Sequence, residues 1–134
     1  MGTYLLPQQG EKMESLRLCP KDKKNCVCSL EPDSSVFFIS PLKYFPKDNT
    51  NAVKNRIKKI VQQIPRTTIV VENENHIHIE VQSAIFKFID DVEFLIDSKH
   101  RLIHVRSASR QGYWDMNINR KRIISFKQLW QKFK

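Results

Sequence analysis

The sequence predicts an α+β fold: an antiparallel β-sheet of about five strands packed against two helices, with an extended N-terminal arm. Three observations carry that expectation. Residues 51–64 and 119–133 repeat apolar side chains at helical spacing, and most of the chain between them alternates polar with apolar. Residues 1–35 show no sustained period and hold Pro7, Pro20 and Pro32. At 134 residues the chain has length for one core, so we expect an arm over 1–35 with a cysteine cluster and a single α+β domain over 36–134.

Taken in order, Val36–Ile39 is a short apolar run read as a strand, and residues 40–51, with Pro41 and Pro46, are read as a loop. From Asn51 to Ile64 the positions Val53, Ile57, Ile60, Val61 and Ile64 form one apolar stripe, and Pro65 supplies the stop. Thr67–Glu72 is β-branched. His76–Gln82 alternates, with Ile77, Ile79 and Val81 facing a core and His76, His78 and Glu80 facing water. Ala84–Ile96 places Phe86, Phe88, Val92, Phe94 and Ile96 in one parity, and Leu102–Arg106 returns beside it. Asn119 is the expected N-cap of a last helix whose stripe is Ile123, Phe126, Leu129, Trp130 and Phe133. Tyr113, Trp114 and Trp130 are either pocket walls or core.

Composition narrows the function classes. The 23 Lys and Arg exceed the 14 Asp and Glu to give +9, which favours anionic small molecules or acidic protein and membrane surfaces at encounter. Nucleic acid is not expected, because the bases are spread along the chain rather than gathered in one stripe. No run reaches the roughly 20 apolar residues of a membrane span, and no signal peptide opens the sequence. No phosphate loop, nucleophile elbow or zinc-protease motif occurs, so no cofactor is expected. Nor is a metal: His76, His78 and Glu80 share a parity but lack a further placed ligand.

Cys19, Cys26 and Cys28 are the only cysteines. A bridge between Cys19 and Cys26 is sterically feasible in an oxidising compartment; free thiols, or a zinc site short of one ligand, are the alternatives.

The polar residues concentrate between Phe86 and Arg122. With Ser98 and Lys99 at the hairpin tip, Val92 faces Val105 and Phe94 faces Ile103 on the core side. The same register sets Glu93 against His104 and Asp91 against Arg106, as ordinary cross-strand pairs. Asp90 then falls opposite Ser107 towards the core, where a carboxylate needs a cation or several donors; Arg110, Arg120 and the amides around Gly112 are the expected partners. In Arg106-Ser107-Ala108-Ser109-Arg110 both guanidinium groups share one parity and both hydroxyls the other, so the arginines could fork onto an anion if the chain bends at Gly112. The candidate ligand-binding set is therefore Asp90, Asp91, Arg106, Ser107, Ser109, Arg110, Asn119 and Arg120.

Cys19-Pro20, Asn25-Cys26-Val27-Cys28-Ser29, the run from Phe88 to Phe94 and the run from Val105 to Arg110, followed by Gly112, Asp115, Asn119, Arg120 and Arg122, resemble the domain of unknown function 1499 family. The ordering covers the chain from about Leu18 onward. The resemblance implies no catalytic residues. It does imply a bacterial envelope or periplasmic setting, which suits an oxidised Cys19 and Cys26, although this sequence shows no leader, so that a removed leader and a cytoplasmic setting are the two alternatives. The expectation is a binding module for an acidic small molecule or partner group. A small hydrolase-like enzyme using Asp90 or Asp91, or a purely structural scaffold, are the alternatives.

Overall fold

A computed structural model describes residues 15–132. The fold is α+β: a six-stranded antiparallel sheet with two helices. Its strands are β1 (Cys26–Cys28), β2 (Leu42–Lys43), β3 (Thr67–Glu72), β4 (His76–Gln82), β5 (Ile89–Asp97) and β6 (Leu102–Ser109); the helices are α1 (Thr50–Val61) and α2 (Ile118–Lys132). The order across the sheet is β1-β6-β5-β4-β3, with β2 also on the outer edge of β6. β3 to β6 are a meander of hairpins, which local alternation alone can specify. Residues 1–14 of the expected arm lie outside the described residues.

Asn49 caps α1 by accepting from the Ala52 amide at 2.8 Å, and Lys58 and Lys59 in its last turn complement the dipole. The helix ends at Val61, three residues short of the expected Ile64, because Gln63 and Ile64 donate to Ile60 and Val61 in tighter turns before Pro65. Val53, Ile57, Ile60 and Val61 of α1 and Ile123, Phe126 and Trp130 of α2 pack on Ile77, Ile79, Val92, Phe94, Ile96, Ile103 and Val105 of the sheet. Phe94 and Phe126 rings lie 4.7 Å apart at the centre of this core.

The other face of the sheet is covered too. Leu16, Cys19, Cys26 and Cys28 pack on Leu95 and Ala108, with Leu30 and Phe37 beside them. Cys19 and Cys26 form a disulfide with a Cα separation of 5.7 Å, and Cys28 is a buried free thiol. The reading of His76, His78 and Glu80 as a wet face is corrected for the two histidines: His76 is fully buried and His78 nearly so, while Glu80 is half-buried.

Two further expectations change. Val36–Ile39 forms no strand beyond an isolated bridge from Phe38 to Cys28, while β2 sits in the presumed loop. The hairpin register is also shifted by two: Asp90 pairs with Ser109, Val92 with Ser107, Glu93 with Arg106 and Phe94 with Val105. A four-residue turn over 98–101 replaces the two-residue tip. Asp97 holds it, accepting from the His100 amide at 3.2 Å and meeting its ring at 2.8 Å, while Arg101 adopts φ 55°. A shift of two preserves every residue's face, so the core pattern stands and only the cross-strand partners change.

Candidate functional site

Consecutive strand residues point to opposite faces, so Asp90 and Asp91 at the start of β5 enter different surroundings. On the helix side, Asp90 accepts from Arg122 Nη2 at 2.7 Å. Arg122 Nη1 donates to Asn119 Oδ1 (2.8 Å) and Ser107 Oγ (3.1 Å), and Ser107 donates to the same Asn119 oxygen at 2.6 Å. The Asn119 amide nitrogen reaches Asp115, Ser109 and the Asn25 carbonyl. Asn119 lies inside the first turn of α2. The cap is Asp115, whose carboxylate accepts from the amides of Asn117 and Asn119.

On the opposite face, Asp91 accepts from Arg110 Nε at 2.7 Å and Nη2 at 2.8 Å and meets His78 Nε2 at 2.8 Å. Arg110 also bonds Glu80, and Glu93 meets His76 Nε2 at 2.9 Å. Burial raises the Asp91 carboxyl, but the hydrogen bonds and charges of His78 and Arg110 outweigh it and hold the group well below the carboxylate range. Glu93 is likewise lowered: burial opposes, and the His76 hydrogen bond with the His76, His78 and Arg106 charges prevails. Hydrogen bonds to Asp91 and Glu80 raise Arg110. Such a ladder is chemically a lock, since its acids are committed as anions.

The expected ligand set thus divides across the sheet. Asp90, Ser107, Ser109 and Asn119 come together beneath α2; Asp91, Arg106 and Arg110 lie on the other face. Arg120 joins neither, donating instead to the carbonyls of Phe38 (2.8 Å) and Val36 (2.7 Å). The cation that Asp90 finds is Arg122, three positions after Asn119 on α2; that spacing was its sequence signal. The cross-strand pairs Asp91 to Arg106 and Glu93 to His104 are replaced by Asp91 with His78 and Arg110, Glu93 with His76, and His104 with Ser29.

Above the Asp90–Arg122 pair lies a groove of about 600 Å³. Its floor is Asp90, Ser109, Asp115 and Arg122, and its walls come from residues 82–88 and 111–118. Phe86 and Phe88 were expected in the core series but are 73% and 49% exposed. The strand begins only at Ile89, because Ser83 and Phe88 close a tight turn through reciprocal 2.9 Å bonds and Lys87 takes φ 58°. With Trp114 and Met116 from the facing loop and Ile118 at the start of α2 they make an apolar wall that periodicity had concealed. Arg66 stands at the mouth; among the described residues only its Nε is engaged, by the Gln82 carbonyl at 2.9 Å. Left-handed backbone gathers here: Arg66, Lys87, Gly112, Met116 and Asn117 line or adjoin the groove. Gly112, at φ 83°, turns the chain out of β6 as a bend there requires.

The second wall is held from the far side. Lys24 donates its amide to the Tyr113 carbonyl at 2.7 Å, and Asn25 Nδ2 donates to the Gly112 carbonyl at 2.7 Å. Cys26, next in sequence, is the disulfide residue, so the staple that fixes β1 also fixes this loop.

The family model described as Protein of unknown function (DUF1499) matches residues 15–129, which take in the disulfide, both polar clusters and the groove. The chain belongs to the DUF1499 family. No curated protein matches it. Among the described residues of this DUF1499 chain, no helix is long and apolar enough to cross a membrane, and the Cys19–Cys26 bridge is compatible with an oxidising compartment.

Proposed function

We propose that this DUF1499 domain is a binding module that takes an amphipathic acid into the groove above Asp90 and Arg122, in an oxidising, extracytoplasmic setting. The observation that carries the reading is the concentration of exposed apolar side chains from two loops around a polar floor. Soluble proteins seldom leave such a surface without an occupant, and a concavity of about 600 Å³ falls in the range of small-molecule sites. The apolar body lies against Phe86, Phe88, Met116 and Ile118. The acidic head meets Arg66, whose Nη groups have no partner among the described residues, whereas Arg110, Arg120 and Arg122 already serve protein acceptors.

The polar network beneath has a supporting role in this reading. It fixes α2 and the 111–118 loop so that the groove is formed before ligand arrives. The test is a titration with lauric acid and with lauryl alcohol, below their aggregation limits, followed by calorimetry. The acid should bind about tenfold more tightly than the alcohol, and Arg66→Gln should erase that difference while leaving the alcohol's affinity unchanged. Equal affinity for acid and alcohol in the unsubstituted protein, or no binding of either, would overturn the proposal.

A further inference from the structure

The two loops that wall the groove also carry residues the groove does not use. Ile85 is 82% exposed and Tyr113 61% exposed, and neither lines the cavity. Lys87 lies in the first loop, and Lys24 is tied by its main chain to the second; both are exposed, and among the described residues neither is ion-paired. The neighbouring acids are occupied: Asp115 by the amides that start α2 and Asp90 by Arg122. Asp22 is the exposed exception, and it is flanked by Lys23 and Lys24, with Lys21 paired to Glu31. The lip thus combines an aliphatic and an aromatic tip with a positive surround.

We propose that this lip, Ile85 and Tyr113 with Lys24 and Lys87, docks the protein onto an anionic bilayer surface. Aromatic and aliphatic tips insert at the headgroup level, and the amines gain from the negative surface potential. Charge decides the occupant. A second copy would bring the same amines against each other on a chain already at +9, and a neutral partner would leave them unused. An anionic membrane satisfies both halves of the pattern. The proposal stands apart from the ligand reading, because it rests on lip residues outside the groove.

The experiment is co-sedimentation of the oxidised full chain with vesicles of phosphatidylglycerol and phosphatidylcholine, against phosphatidylcholine alone. Partitioning should be at least about tenfold stronger to the anionic vesicles and should weaken as salt is raised. Trp130 is buried, so a blue shift of emission on binding reports Trp114 beside the lip. Ile85→Ser combined with Tyr113→Ser should cut partitioning about tenfold, as should Lys24→Gln with Lys87→Gln. Both pairs should keep the parental melting temperature and lauric acid affinity. Equal partitioning to both vesicle types, partitioning unmoved by either pair, or a dimer that Ile85→Ser dissolves, would overturn the docking proposal. Vesicle binding without lauric acid binding would sink only the ligand reading, and the reverse would sink only this one.

Discussion

Asp90 and Arg122, 32 positions apart, meet at 2.7 Å and tie the first residues of β5 to α2 beneath the groove. Both are half-buried, so the pair is shielded from water on most sides without being sealed. Arg122→Ala would strip Asp90 of its cation and leave the Ser107 and Asn119 oxygens short of a donor. The expected loss is about 2 kcal/mol, read as a lower urea midpoint. Asp90→Asn keeps a neutral acceptor and should lose about half as much. If the two variants were equally mild, the pair would be ornamental.

Stability should fall with acid in two stages. His104 lies below its ordinary 6.5 because burial outweighs the attraction of Asp97, with His100 adding to the depression. Its neutral ring suits Ser29, whose oxygen already accepts from the Val105 amide and so has its own hydrogen free for Nδ1. A depressed folded value means the unfolded chain binds more protons, so this contribution is complete above pH 6.5 and is lost as pH falls towards the folded value. Asp91 and Glu93 are depressed below 3.8 and 4.5, so their contribution is intact above those values and drains away at lower pH. Urea midpoints measured from neutral pH downward should show both limbs, and His104→Gln should flatten only the first.

The Cys19–Cys26 bridge spans a sequence separation of 7, a loop whose closure restricts the unfolded chain by about 2.5 kcal/mol. Cys19→Ser with Cys26→Ser should therefore lower the melting temperature and loosen the 111–115 loop, visible as faster amide exchange at Lys24 and Asp115, whose amides donate to the Tyr113 and Lys24 carbonyls. Cys28 should behave differently. It is fully buried, and burial raises its thiol above the ordinary value, so iodoacetamide should label it only in denaturant. Labelling of the native chain would contradict the placement.

In the groove, Phe88→Ser and Ile118→Ser remove wall area that is already half in water. Calorimetry should record about tenfold weaker lauric acid binding, while the melting transition moves by no more than about 0.5 kcal/mol. A large loss of stability would mean that these side chains serve the core instead.

Much of the fold was legible because it is local. Thr67–Glu72 and His76–Gln82 are strands with the bounds their composition predicts, and the stripe from Asn51 with its stop at Pro65 is a helix. What escaped was long-range. β1 is three residues long, has no period of its own and exists only because Cys26, Val27 and Cys28 find β6 some eighty positions later. Alternation in β4 carries no sign that its histidine face is buried, which is why His76 and His78 read as solvated. The candidate set suffered from the same cause. Parity correctly sent Asp90, Ser107 and Ser109 one way and Asp91, Arg106 and Arg110 the other, yet nothing in the sequence said that both sides of the sheet would be enclosed.

Among the described residues, no strand pairs with β3 along the edge away from β4. Its pairing with β4 slips between Ile69 and Val71, leaving Val70 as an extra residue that kinks the ribbon. A kinked rim offers a poor template for another chain's backbone, so the protein can keep a bare margin at high concentration without stacking into fibrils.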